Sequence, residues 1–233
     1  MTTVWCGASR GTTFDQRGYG RSPRPDGPYS LVDDLAWVLG AAGLDRTALV
    51  GTSRGGRIAI DFTLERPDRV SALVPVAAAM SGHSLGLTFP EELERAAERA
   101  EAEHDLEAMA GFDLQIWAPL GVDAELTTMV VENVEFSWSD DPGTWADPPA
   151  AGRLGEIAVP TLVITGAQDV PEISAVGELL VSGIAGARGR DRECGPRRIL
   201  ARSRRARRPD PGVPRLDIDT APPSAIKRRS LKS

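Results

Sequence analysis

The stretch Leu49-Val50-Gly51-Thr52-Ser53-Arg54-Gly55-Gly56 constrains this chain more than any other. A short apolar run enters a Gly-x-Ser-x-Gly turn, and a helical pattern begins at once behind it. A serine hydroxyl is a poor nucleophile until a sharp turn holds it above a sheet, with a base beside it and amide donors behind it. Glycines at 51 and 55 permit the close backbone approach such a turn needs. The spacing therefore predicts a buried strand, a tight turn carrying Ser53, and a helix.

The rest of the first 186 residues has the same alternating character. Thr12 to Asp15 reads as the end of a strand, followed by a Gly/Pro-punctuated loop over Arg17 to Pro23. Ser30 fits a helix N-cap with Asp33 three residues on, and Leu31, Leu35, Val38 and Leu39 recur at helical spacing until Gly43. Ile58, Phe62 and Leu64 line the helix after Ser53, which stops before Pro67. Val70 to Ala78 is continuously apolar, as in a parallel strand covered on both faces. Val159 to Gly166 returns to strand character, then Asp169 and a helix from about Pro171 to Ile184. Strands alternating with helices predict an α/β fold, a mostly parallel sheet flanked by helices.

Residues 81–150 interrupt the alternation. Glu91 to Met109 reads as a strongly acidic helix, and further helical pieces carry Trp117 and Trp138. This block is expected to form a helical cap over a discontinuous core made of residues 1–80 and 151–186. His83, just past the strand ending near Ala78, is a candidate substitute base, and His104 is expected on the surface of the acidic helix. Trp117 is a candidate pocket residue, with cap core as its simpler role. Asp15 and Arg17 are expected to be structural partners in their loop.

Charge divides the chain sharply. Residues 1–186 hold 12 Lys+Arg against 28 Asp+Glu, whereas residues 187–233 hold 15 against 5. In that last segment Leu, Ile, Val and Phe supply 7 of 47 residues, below the roughly 20% that accompanies a packed core. A disordered basic C-terminal tail is expected there. Three origins fit it: a polyanion-binding arm, a solvated end, or out-of-frame translation of GC-rich DNA, which yields Arg, Pro, Ala and Gly. The tail lacks aromatic stacking platforms, so nucleic acid is not an expected partner. No apolar run reaches membrane-spanning length and no leader pattern opens the chain, so a cytoplasmic protein is expected. Cys6 and Cys194 form no disulfide framework or metal cluster.

Four elements in order resemble the α/β-hydrolase fold superfamily: Phe14 to Ser22, Gly51 to Gly56, Arg66 to Val70, and Val159 to Asp169. The resemblance covers roughly residues 12–186. It implies Ser53 as nucleophile, the Arg54 backbone N–H as an oxyanion donor, and Asp169 as the acid that orients a histidine, with Glu172 as rival to Asp169. It implies no metal or organic cofactor and a small ester or lactone as substrate, nearest in flavour to esterases and enol-lactonases. Two departures stand against full activity. No histidine follows His104, and Trp5-Cys6-Gly7-Ala8 is not the His-Gly loop that supplies the second oxyanion donor. The resemblance thus implies a chain incomplete at both ends, without the opening strands or the last strand. The competing reading is a catalytically inactive pseudo-hydrolase or adaptor that binds a small ligand or polyanion.

Overall fold

The computed structural model describes residues 2–6, 10–118 and 121–192. In chain order the elements are β1 (Thr2–Cys6), β2 (Arg10–Phe14), β3 (Tyr29–Ser30), α1 (Leu31–Ala41), β4 (Thr47–Thr52), α2 (Arg54–Glu65), β5 (Val70–Val76), α3 (Glu91–Ala102), α4 (Leu106–Trp117), α5 (Ala124–Ser137), β6 (Gly143–Thr144), β7 (Leu162–Gly166), α6 (Pro171–Gly183) and β8 (Arg188–Arg192). Strands β4, β5, β7 and β8 form a parallel sheet in that order. Strands β1 and β2 form an antiparallel hairpin, with β1 beside β4.

Local chemistry sets the element boundaries. The Ser30 hydroxyl accepts the Asp33 N–H at 3.1 Å and caps α1. Gly43 (φ +68°) closes the helix while Leu44 N–H returns to Leu39 O at 2.8 Å, the paired terminal bonds that a left-handed glycine permits. Helix α2 turns Ile58, Ile60, Phe62 and Leu64 inward and ends before Pro67. Its apolar face joins Leu35, Leu39, Leu49, Leu73, Val163, Val176 and Leu180 in one core between sheet and helices. Burying each large apolar side chain there stabilises the fold by about 1.5–3 kcal/mol. Helices α3, α4 and α5 hold a second, smaller core of Ala100, Met109, Ala110 and Val134.

Three expectations are corrected. The acidic run is two helices: His104 adopts φ +54° and the Asp105 carboxylate accepts Ala108 N–H at 3.0 Å, starting α4 anew. His104 is therefore an exposed residue of the break between α3 and α4, not a residue on a helix face. Second, β1 provides a strand on the N-terminal side of β4, where none was expected. Third, β8 lies within the segment expected to lack ordered strands. Its Arg- and Asp-bearing sequence has no apolar alternation, yet its backbone completes a ladder with β7 from Leu162–Arg188 to Gly166–Arg192. Among the described residues β8 is the outermost strand on its side of the sheet, and charged residues suit such a position, where they discourage further pairing. The remaining readings of the basic tail concern residues 193–233, which lie outside the described residues.

Candidate active site

The turn between β4 and α2 has the geometry that its glycines predict. Ser53 sits at φ +50°, ψ −118°, a conformation that costs a non-glycine residue about 1–3 kcal/mol. Its backbone is tied down on both sides: Ser53 N–H donates to Val76 O at 2.9 Å, and Ser53 O accepts from Arg57 N–H at 3.1 Å and Ala79 N–H at 3.3 Å. The side chain is exposed at the start of α2. A Cβ on Gly51 would lie 2.2 Å from Gly55 O, and one on Gly56 would lie 2.5 Å from the Ala78 methyl. The strand and helix approach too closely for any side chain at either position. Ala77, at the end of β5, is also strained, with φ +42°.

Asp169 occupies the turn after β7. Its carboxylate accepts Gly166 N–H at 2.7 Å, and its own N–H donates to Gly166 O at 3.0 Å. Burial pushes its pKa up, and the Gly166 bond opposes that shift. Ala77 N–H donates to Ile164 O at 2.8 Å, joining the ends of β5 and β7. Ser53 and Asp169 thus both follow the carboxyl ends of parallel strands, the edge where ligands bind in open α/β sheets.

Comparison with known proteins agrees with this architecture. The model of the alpha/beta hydrolase fold family matches residues 10–103. The chain resembles Est816, described as an N-acyl homoserine lactone degrading enzyme, at 28% identity and a TM-score of 0.60, covering 82% of this chain and 77% of that one. The chain belongs to the α/β-hydrolase fold superfamily.

A relative from Klebsiella pneumoniae subsp. pneumoniae, a 2-hydroxy-6-oxononadienedioate/2-hydroxy-6-oxononatrienedioate hydrolase, is 32% identical over 164 residues, 66% of this chain and 56% of that protein. The chain thus spans little more than half the length of that relative. The enol-lactonase from Burkholderia xenovorans LB400 shares the fold, with a TM-score of 0.58 at 24% identity over 82% of this chain and 76% of that one.

Among the described residues, no side-chain hydrogen bond reaches Ser53 Oγ. His83 is half-buried in the loop after β5; its N–H donates to Met80 O at 3.3 Å, and its imidazole makes no bond to Ser53. Glu172 lies in the first turn of α6. Trp117 ends α4 and is 38% exposed. A cavity of about 570 Å³ lies between the loop after β2 and helices α4 and α5, lined by Asp15, Tyr19, Asp113, Met129 and Asn133 among others; Trp117 is not among its lining residues. Asp15 and Arg17 both make structural bonds, but to different groups: Arg17 forks onto Asp34 of α1 at 2.7 and 2.9 Å, and Asp15 accepts Arg21 N–H within the loop at 3.3 Å.

The Arg54 N–H stands at the first position of α2, where no intrahelical partner is available to it. Its side chain is the centre of a polar cluster that the sequence did not point to. Arg54 donates to Gln16 Oε1 at 2.8 Å and pairs with Asp141. Both Arg54 and Arg57 lie against the Trp145 ring, at 4.9 and 3.4 Å from its centroid. Asp141 is 87 residues from Arg54, so no local pattern links them. No group of His, Cys, Asp or Glu among the described residues is arranged to hold a metal ion. No helix of the described residues is long and apolar enough to cross a membrane.

Proposed function

We propose that this protein is a hydrolase of a small ester or lactone that acts through Ser53, with turnover strongly reduced because no histidine partners that serine. The observation that carries the proposal is the strained, exposed Ser53 turn at the head of α2. The likeness to a lactone-degrading enzyme at 28% identity supports the substrate class. In the proposed reaction Ser53 Oγ attacks the acyl carbon as the carbonyl oxygen gains charge beside the Arg54 N–H. The alkoxide leaves, and water then releases the acid. Helices α3 to α5 serve as the cap over this site. Asp169 takes the place of the acid, but its carboxylate closes its own turn and has no imidazole to orient. The hydroxyl proton must therefore pass to solvent rather than to a base.

The expected deficit is large. Removing the histidine of a serine protease lowers turnover about 2 × 10⁶-fold, or roughly 8–9 kcal/mol of barrier. A fluorophosphonate probe tests the reading. Ser53 Oγ forms a bond to phosphorus, fluoride leaves, and the proton goes to water. Slow labelling of Ser53, abolished in Ser53→Ala, is the expected result. Rapid labelling with ester turnover lost in Ser53→Ala would overturn the proposed impairment. Labelling that persists unchanged in Ser53→Ala would remove Ser53 from the reaction.

A further inference from the structure

Arg54 joins the Ser53 turn to parts of the chain far away in sequence. Its backbone lies immediately after Ser53, at the first position of α2. Its guanidinium bonds Gln16 Oε1 at 2.8 Å, in the loop after β2, and pairs with Asp141, between α5 and β6. Asp141 is in turn held by Gly143 N–H at 2.9 Å and Tyr29 O–H at 3.4 Å. Tyr19 and Trp145 place their rings 6.0 and 4.9 Å from the same guanidinium. Gln16 is only 4% exposed, and Arg54 and Asp141 are partly buried, so this is not a loose surface pair.

A second cation lies beside the Arg54–Asp141 pair. Arg57 stacks on Trp145, and its buried Nε has no hydrogen-bond partner. Burial lowers its pKa, the Asp61 carboxylate opposes that shift, and the Arg54 charge adds to it. Two guanidiniums therefore share one indole beside the turn. Asp141 offsets the charge of the one nearer the serine. Without that carboxylate, repulsion would push Arg54 away from Trp145 and pull on the backbone that follows Ser53.

We infer that the Arg54 side chain is a positioning element: by bridging Gln16 and Asp141 it fixes the direction of the Arg54 N–H and seats the segment returning from α5 over the Ser53 turn. The inference rests on the proposed role of Ser53. A guanidinium fork suits the task because it engages two partners in fixed directions, which an ammonium cannot do. A displacement of about 1 Å at an amide donor is enough to lower a rate substantially.

The test uses the full-length chain and its variants Arg54→Met, Asp141→Asn, the double variant and Arg54→Lys. Labelling of Ser53 by a fluorophosphonate is resolved into a binding constant and a maximal rate. Backbone hydrogen exchange is followed at residues 51–58 and 141–146. Arg54→Met and Asp141→Asn are each expected to lower the maximal rate by about tenfold, less than the roughly 10²–10³-fold lost when an oxyanion donor is removed outright. The binding constant stays unchanged. The double variant is no worse than Arg54→Met, because both break one bridge. Arg54→Lys keeps the charge but not the fork, and recovers part of the rate. Exchange rises together at both segments in Arg54→Met.

A maximal rate equal to wild type in Arg54→Met would overturn the inference, as would a loss confined to the binding constant. If the wild-type chain does not label at all, the role of Ser53 fails and the exchange data decide the bridge alone. Unchanged protection at both segments would then overturn it.

Discussion

Gly51→Ala is expected to destabilise the protein by about 3 kcal/mol or more, at the upper end of the overpacking range. The added methyl would lie 2.2 Å from Gly55 O, 2.4 Å from Gly55 C and 2.6 Å from Gly56 N. All three are backbone atoms of the first turn of α2, so no flexible side-chain end can yield. Relief requires α2 to move away from β4, and that movement breaks the bond from Ser53 N–H to Val76 O. Ser53→Gly should act in the opposite direction. Glycine at φ +50° escapes a strain of about 1–3 kcal/mol, against a loss of about 0.5–1 kcal/mol from its greater freedom when unfolded. A net gain of up to about 2.5 kcal/mol follows from those two figures, together with complete loss of fluorophosphonate labelling. Urea midpoints of the two variants beside wild type decide the matter. A Gly51→Ala midpoint equal to wild type would show that the turn is not held as tightly as its contacts indicate. A destabilised Ser53→Gly would show that the serine is not strained.

The same turn explains why part of this fold could be read from the residues alone. Gly51, Ser53, Gly55 and Gly56 are neighbours in sequence, and their consequences are local. Ser30, Gly43 and Pro67 likewise act on backbone atoms within a few residues of themselves, so the ends of α1 and α2 follow from the sequence. Where a partner is distant the pattern is silent. Arg54 meets Asp141 across 87 residues and Gln16 across 38, and nothing in Ser-Trp-Ser-Asp-Asp-Pro marks Asp141 as its partner. Strand β8 exists through its ladder with β7, against its own composition. The acidic run from Glu91 contains only good helix formers through Glu103, with neither glycine nor proline to signal a break. The break comes instead from the Asp105 carboxylate competing for a backbone amide, the usual effect of a short polar side chain beside a chain reversal. Trp117 ends α4 and does not line the cavity between the loop after β2 and helices α4 and α5, a placement that residue type alone does not reveal.

Asp61 presents the second large effect. It lies on α2, two turns from Ser53, and its side chain is fully buried. Ser81 O–H donates to its Oδ1 at 2.5 Å, and Ala146 N–H approaches Oδ2 at 3.5 Å. Ser81 Oγ also accepts Ala150 N–H at 2.8 Å. One carboxylate thereby holds α2, the turn after β5, and the return from the helical block. Asp61→Ala leaves the Ser81 hydroxyl and the Ala146 amide without this acceptor and opens a void, for an expected loss of about 2–4 kcal/mol.

Its pH dependence has a definite sign. Burial raises the Asp61 pKa above the unfolded value, and the bonds from Ser81 and Ala146 together with Arg57 and Arg153 only partly oppose this. The folded state therefore retains the proton more strongly than the unfolded state. The associated stability is complete below the unfolded carboxyl pKa near 4 and is lost as pH rises through the higher folded pKa. Asp61→Asn keeps an acceptor for Ser81 and cannot ionise. Glu65, Asp113 and Asp169 are also shifted upward, each chiefly by burial, so the variant keeps part of the wild-type slope. The informative quantity is the difference between the two unfolding curves from pH 4 to pH 8. The stability of Asp61→Asn relative to wild type should rise across that window. A difference independent of pH, or one that falls as pH rises, would mean that Asp61 is held as a stabilised carboxylate by its three-way bridge rather than strained by burial.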